Sequence, residues 1–300
     1  MSFKVNGEVG ACGGKLLKLS HHSNVVNNSM DVNVYLPQQY YKNSNDKPIP
    51  VIYFLSGLTC SPQNASEKAF WQLQADKYGF AVVYPDTSPR GDHIPDDPEK
   101  YWDFGVGAGF YVNSTQEPWK KHYQMYDYVH RELPAQLNEY FNKSGNAKVD
   151  FLENVSITGH SMGGFGALSG YLQNYGSKKY KSCSAFAPIV NPSKVPWGEK
   201  GFGNYLGNDK SAWAQYDPCE LVKKIPNRGA DRILIHQGSN DGFYKVQLKP
   251  ENLVEASKGT SWEGKIDVHI VDGFDHSYYF ISTFVPEHAA FHAKYLGLAQ

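Results

Sequence analysis

The chain has 300 residues, 29 of them basic and 30 acidic, for a net charge of −1 at neutral pH. Charge so evenly balanced, with no block of one sign, argues against nucleic acid or an anionic membrane as a partner and leaves a small-molecule substrate as the expected one. The start, Met1-Ser-Phe-Lys-Val-Asn-Gly7, lacks the apolar core of a signal peptide, and no stretch approaches the roughly 20 apolar residues of a membrane span, so a soluble cytoplasmic protein is expected.

The length exceeds that of a usual domain, yet α/β sheets often run this long as one unit, so a single domain over residues 1–300 is expected. Cys12, Cys60, Cys183 and Cys219 match no zinc spacing and are expected to be free thiols. Asn-x-Ser/Thr triplets at Asn27, Asn64, Asn113, Asn142 and Asn154 are read as chance matches, there being no export signal.

From the amino terminus, residues 15–20 and 30–36 alternate apolar and polar side chains and are predicted as antiparallel strands, followed by turn signals at Pro37 and over 42–50. Residues 51–55 are a continuous apolar run of the buried, central-strand type, followed by Ser56-Gly57-Leu58-Thr59-Cys60. A helix is predicted over 69–78 and another buried strand over 80–84. From Thr87 to Trp119 the chain is rich in Gly, Pro and aromatic residues; irregular chain of this length is more often functional than idle and is expected to overhang the site.

Helical periodicity returns over 123–142 despite Pro134, which is expected to kink the helix or to sit in a first turn. There follow a strand over 155–158, a helix to about residue 174, a strand over 184–188 and a second Gly- and aromatic-rich excursion over 195–217. A strand over 232–236, a helix over 250–257, a last strand over 267–271 and a closing helix over 280–295 complete the chain.

Between the 155–158 strand and its helix stands Gly159-His160-Ser161-Met162-Gly163, the Gly-x-Ser-x-Gly pattern of a nucleophile elbow. A serine hydroxyl is a poor nucleophile unless a strained turn exposes its Oγ to a base. The two glycines permit that turn, because a Cβ at either would strike the neighbouring strand or helix. Strands alternating with helices around such an elbow predict an α/β-hydrolase fold, a mostly parallel central sheet with helices on both faces.

In that arrangement the acid and then the base follow the serine, on loops after later strands. Gly238-Ser-Asn-Asp241 follows the 232–236 strand and offers Asp241, since Asn240 cannot carry a charge. Asp272-Gly-Phe-Asp-His276 follows the last strand and offers His276 as base. His236 and His269 fall inside strands and His288 and His292 on the closing helix, where structural roles are the better reading, and Asp275 is too close to His276 to orient it. Ser161, Asp241 and His276 are thus the predicted catalytic set. An acyl-transfer oxyanion also needs preorganised N–H donors, and the backbone amides of Leu58 and Met162 occupy the expected places.

These residues resemble the S-formylglutathione hydrolase (esterase D) family. The likeness runs through Ser56-Gly-Leu-Thr-Cys60, Pro85-Asp-Thr-Ser-Pro-Arg-Gly91, Trp102-Asp-Phe-Gly105, Gly107-Ala-Gly-Phe-Tyr-Val112, Gly159-His-Ser-Met-Gly-Gly164, Ser184-Ala-Phe-Ala-Pro188, Pro196-Trp-Gly198 and Asp275-His-Ser-Tyr-Tyr-Phe-Ile281, nearly the whole chain in family order. The resemblance implies a cytosolic, cofactor-free serine thioesterase of formaldehyde detoxification, hydrolysing S-formylglutathione to glutathione and formate. The catalytic triad it implies falls on the same Ser161, Asp241 and His276. Asn240 departs from relatives that carry a second acid there, and touches none of these roles.

Trp197, in the second excursion, is a candidate for lining the substrate pocket. Cys60, two residues past the expected oxyanion donor, and His160, inside the elbow, are further candidates; no metal is required, but Cu²⁺ or Zn²⁺ could inhibit by binding this thiolate and imidazole. Two rival readings are a general carboxylesterase or acyltransferase on the same fold, and a binding protein that has lost turnover, although no triad member is missing. Either a monomer or a homodimer is compatible with the sequence.

Overall fold

The computed structural model describes residues 3–42, 47–143 and 148–298; residues 43–46 of the expected turn, Ser144 of the Asn142 triplet, and Met1 and Ser2 lie outside them. One sheet is built from β1 (Lys4–Ala11), β2 (Gly14–Ser23), β3 (Asn28–Leu36), β4 (Val51–Leu55), β5 (Ala81–Pro85), β6 (Val155–Gly159), β7 (Tyr180–Phe186), β8 (Ile233–Gly238) and β9 (Ile266–Val271), in the order β1-β2-β3-β5-β4-β6-β7-β8-β9. Pairing is antiparallel from β1 to β3 and between β3 and β5, and parallel across the rest. The central strands β4, β5, β6 and β8 are buried along their whole length, as continuous apolar runs in parallel sheets are. This is the α/β-hydrolase arrangement that the elbow and the alternating elements predict.

Three expectations need correction. Strand β1 is absent from the periodicity reading because its residues are mostly exposed, so neither face carries the alternation that marks a half-buried strand. The expected 69–78 helix begins only at Trp71 and runs to Tyr78, because Phe70 stands at φ 59°, and a separate helix, Pro62–Lys68, that was not expected precedes it. The 195–217 excursion is largely helical, as Pro196–Leu206 and Lys210–Ala214, with Pro218–Lys224 following. Its prolines sit in first turns, and Asp209 and Asp217 cap by accepting from the Ser211 and Cys219 amides. Its glycines serve close packing instead of turns: a Cβ on Gly198 would lie 2.1 Å from the Pro192 carbonyl oxygen. The expected 123–142 helix is continuous from Met125 to Phe141, with a π-turn at Tyr128–Glu132 just before Pro134, whose missing N–H interrupts the ladder. The segment from Thr87 to Pro118 contains no helix or strand.

The closing helix, Tyr278–Tyr295, packs on β7, β8 and the Trp71–Tyr78 helix, and it buries a chain of imidazoles against the sheet. His236 Nδ1 and His288 Nε2 share a hydrogen bond at 3.0 Å, His288 Nδ1 and Ser184 Oγ one at 2.7 Å, and Ser184 Oγ and His292 Nε2 one at 2.8 Å. His292 Nδ1 continues to Ser182 Oγ at 2.7 Å. Burial holds all three imidazoles below the ordinary histidine value, His236 at about 4 and His292 at about 3. The folded chain therefore binds fewer protons here than the unfolded chain, and stability rises with pH between those values and 6.5 and is lost on acidification. His292 alone accounts for about 2 kcal/mol between pH 7 and pH 5. Urea unfolding at the two pH values is expected to show at least this loss, and His292→Gln, though less stable at pH 7, should show a pH slope shallower by about one proton; equal slopes would place the acid lability elsewhere.

Candidate active site

Strand register decides which loops meet. Leu55 of β4 lies opposite Gly159 of β6, so the Ser56–Cys60 loop and the elbow leave the sheet side by side. Gly238 of β8 lies opposite Val271 of β9, so the loops carrying Asp241 and His276 also leave together at the same carboxyl edge. Ser161, His276, His160, Cys60, Leu58 and Trp197 all line one cleft of about 240 Å³, whose wall also includes Gly57, Trp102, Phe243 and Tyr278.

Ser161 has φ 58° and ψ −119°, a conformation that L-residues adopt only when their surroundings over-determine it. Its N–H donates to the Phe186 carbonyl at 3.0 Å, and its own carbonyl accepts from Phe165 and Ile189. The expected glycines are required by close approach: a Cβ on Gly159 would lie 2.3 Å from the Gly163 carbonyl oxygen, and one on Gly163 2.0 Å from that of Leu55. The Met162–Gln173 helix starts directly after the serine.

His276 Nδ1 and Asp241 Oδ2 are 2.5 Å apart. The Asp241 carboxylate, fully buried, also accepts from Gln237 Nε2 at 3.1 Å and from the Phe243 amide at 2.8 Å. Asp275 is turned elsewhere and accepts from the Ser277 amide and hydroxyl, so of the two neighbouring acids Asp241 is the one paired with the imidazole. The His276 ring packs against His160, with centroids 4.3 Å apart, and nearly at right angles to Phe243 at 5.1 Å. Trp197 packs on Phe243 at 4.6 Å, and Trp102 on Trp197 at 5.4 Å. Trp102, Phe243 and Tyr278 were not singled out by sequence reasoning; Trp102 and Tyr278 stand inside the motifs that carry the resemblance, and Phe243 stands two residues past Asp241. His160 is buried, its Nε2 has no hydrogen-bond partner among the described residues, and burial, aided by His276, keeps it well below the usual histidine range.

The Ser56–Cys60 loop is clamped from outside by the long irregular segment. Gly57 sits close against the elbow, since a Cβ there would be 3.0 Å from that of Ser161 and 3.2 Å from the His160 carbonyl oxygen. Among the described residues neither the Leu58 nor the Met162 amide has an acceptor, whereas the Thr59 N–H donates to the Gly107 carbonyl at 2.8 Å. Tyr111 OH donates to the Ser56 carbonyl at 2.8 Å, and Thr87 Oγ1 and Arg90 Nη2 both donate to that of Cys60. Arg90 is fixed by Asp86 through Nε and Nη2; burial raises the Asp86 carboxyl, with Arg90 pulling it back down. The Cys60 thiol is half-buried, 3.8 Å from Tyr278 OH, and burial raises it above the ordinary thiol value.

Asp86→Asn removes the anion from this clamp and strands Arg90. Breaking a buried pair costs roughly 3–5 kcal/mol, and partial exposure of Arg90 reduces this to about 2 kcal/mol. Urea titration of the variant should show that loss, and a change below about 0.5 kcal/mol would show that the pair does not hold the loop.

Residues 23–291 match the esterase family described as "Putative esterase". The chain is 63% identical over 297 residues to the S-formylglutathione hydrolase of Saccharomyces cerevisiae, with 98% of this chain and 99% of that one covered. It is 47% identical over 281 residues to that of Arabidopsis thaliana, covering 94% and 93%. The solved structure of an S-formylglutathione hydrolase from Agrobacterium tumefaciens superposes with a TM-score of 0.87 at 42% identity, covering 99% of this chain and all of that one. With the fold, the elbow and these relatives in agreement along almost the entire sequence, the chain belongs to the S-formylglutathione hydrolase family of esterases.

Proposed function

We propose that this chain hydrolyses S-formylglutathione to glutathione and formate, the thioesterase step of formaldehyde detoxification, as a single domain acting on a small molecule in the cytoplasm. The observation that carries the reading is His276, paired with the buried Asp241 at 2.5 Å and lining one cleft with a serine held at positive φ, in a chain 63% identical to a named S-formylglutathione hydrolase. Among the described residues no helix is long and apolar enough to cross a membrane.

In the reaction, Ser161 Oγ attacks the formyl carbon while His276 Nε2 takes its proton. The Leu58 and Met162 amides, which have no other acceptor among the described residues, receive the oxyanion. Collapse breaks the C–S bond, and glutathione leaves as the thiol with the proton from His276. Water then attacks the formyl ester by the same route and releases formate and Ser161. Asp241 holds the imidazole in the tautomer that leaves Nε2 free to accept, and stabilises the imidazolium once formed. Trp197 and Phe243 keep the acyl end of the cleft apolar, and a sulfur leaving group makes activated aryl esters secondary substrates.

Steady-state kinetics on S-formylglutathione, S-acetylglutathione and an aryl acetate test the reading, which requires S-formylglutathione to have the highest kcat/KM. Ser161→Ala and His276→Ala should each lower kcat about 10⁶-fold, with the double variant little worse, and Asp241→Asn about 10⁴-fold through the wrong tautomer. Near-normal turnover by folded Asp241→Asn would remove that residue from the mechanism.

Cys60 and His160 border the same cleft, so alkylation of the thiol, or Cu²⁺ or Zn²⁺ on the pair, blocks the acyl position. Because burial favours the protonated thiol, alkylation should be slow and speed up with pH. Cys60→Ser is expected to remain active and to resist both agents; an active variant with undiminished sensitivity would move the target to Cys12, Cys183 or Cys219.

A further inference from the structure

The catalytic cleft is too small for the whole substrate. Its 240 Å³ lies under the roughly 300–1,000 Å³ of pockets that enclose ligands of drug size, and S-formylglutathione is a tripeptide thioester of that class. Sulfur must leave within reach of His276 Nε2 to be protonated, and the residues that follow His276 border one way out of the cleft for the remainder of glutathione. A second cavity, of about 530 Å³, opens there, lined by Glu67, Lys68, Phe70, Ser277, Tyr279 and Ser282 and sharing the Tyr278 ring with the cleft.

Three features of this cavity are otherwise unexplained. Phe70 and Tyr279 are 64% and 83% exposed, a poor use of large rings unless something covers them. Phe70 is held at φ 59°, ψ 34°, a left-handed conformation that is an outlier for a bulky side chain. Lys68 is exposed and has no ion-pair partner among the described residues, whereas Glu67 beside it is paired with Lys18 at 3.2 Å. The uncompensated charge at the rim is therefore positive, and its field reaches Cys60 in the cleft. Glutathione carries two carboxylates and one ammonium, so the charges are complementary.

We propose that this second cavity holds the glutathionyl part of the thioester, with Lys68 pairing with one of its carboxylates and Phe70 and Tyr279 covering its backbone. The inference rests on the proposed substrate, and adds where and by which charge the thiol portion is recognised. The formyl group then contributes little to affinity, and preference for the glutathione thioester over other formyl thioesters arises outside the catalytic cleft.

The test compares S-formylglutathione with the S-formyl thioester of N-acetylcysteamine, which keeps the reacting group and lacks both carboxylates. Lys68→Ala should lower the ratio of kcat/KM for the two substrates about fivefold, through KM for S-formylglutathione. Lys68→Glu should lower it further, and Lys68→Arg should restore it. Added salt should shrink the ratio in the unmodified protein and leave it nearly constant in Lys68→Ala. Tyr279→Ala should lower the ratio about threefold. If the unmodified protein prefers S-formylglutathione but the Lys68 and Tyr279 variants keep the ratio within twofold, the cavity is not the glutathione site and the proposed function stands. If the unmodified protein shows no preference, both proposals fall.

Discussion

The strained backbone of Ser161 is the constraint around which the rest of the structure is arranged. A non-glycine residue at φ 58° and ψ −119° costs about 1–3 kcal/mol and persists only if its neighbours leave no alternative. Here the neighbours are three adjacent strands. β7 supplies the Phe186 carbonyl that fixes the serine N–H; β4 presses the Leu55 carbonyl against Gly163; and the end of β6 at Gly159 is packed against Gly163 itself. Relaxing the serine would mean parting buried strands, so the energy of the sheet core holds the hydroxyl in place.

The same logic explains how about thirty residues without helix or strand can be ordered. Buried backbone polar groups must be paired, and the 87–118 segment pairs them partly within itself and partly with the Ser56–Cys60 loop. Gly109 donates to Thr87, Gly107 to the Ser88 hydroxyl, and the Gly107 carbonyl accepts from Thr59. A Cβ on Gly107 would lie 3.1 Å from the Thr59 Cα, so the contact is backbone on backbone. The segment therefore acts as an outer clamp on the loop that presents the Leu58 amide. The Asp86–Arg90 pair ties that clamp to the end of β5.

Most of this was legible in the sequence where a local pattern has a local cause. The apolar runs of β4, β5 and β8, the elbow, and the Asp241 and His276 loops are each set by residues within a few positions of one another. What was missed depends on distant packing. Gly198 and Gly201 suggest a loop until the Pro192 carbonyl and the Phe110 ring are seen against them. Phe70 looks like part of an unbroken helix because its left-handed turn has no glycine to announce it. Phe243 and Trp102 reach the site through a relay of rings, Trp102 to Trp197 to Phe243 to His276, and no sequence spacing encodes that relay.

The chain has eleven histidines, and the structure separates those suited to hold a proton in passing from those that are not. A base in acyl transfer must become cationic for an instant, which a buried imidazole can do only beside an anion. His288 and His292 face hydroxyls, rings and other imidazoles, and among the described residues the one carboxylate paired with His236 is the exposed Glu287, so desolvation prevails and all three are held below the usual histidine range. His160 is in the same position, buried with another imidazole, that of His276, beside it. His276 alone among these shares a hydrogen bond with a fully buried carboxylate while keeping its ring on an open cleft. A neutral His160 beside it adds no competing proton, and Phe243 packs on it nearly at right angles. The pairing of β8 with β9 thus does more than bring two loops together: it sets a buried carboxylate against the imidazole to which the proposed mechanism assigns the base.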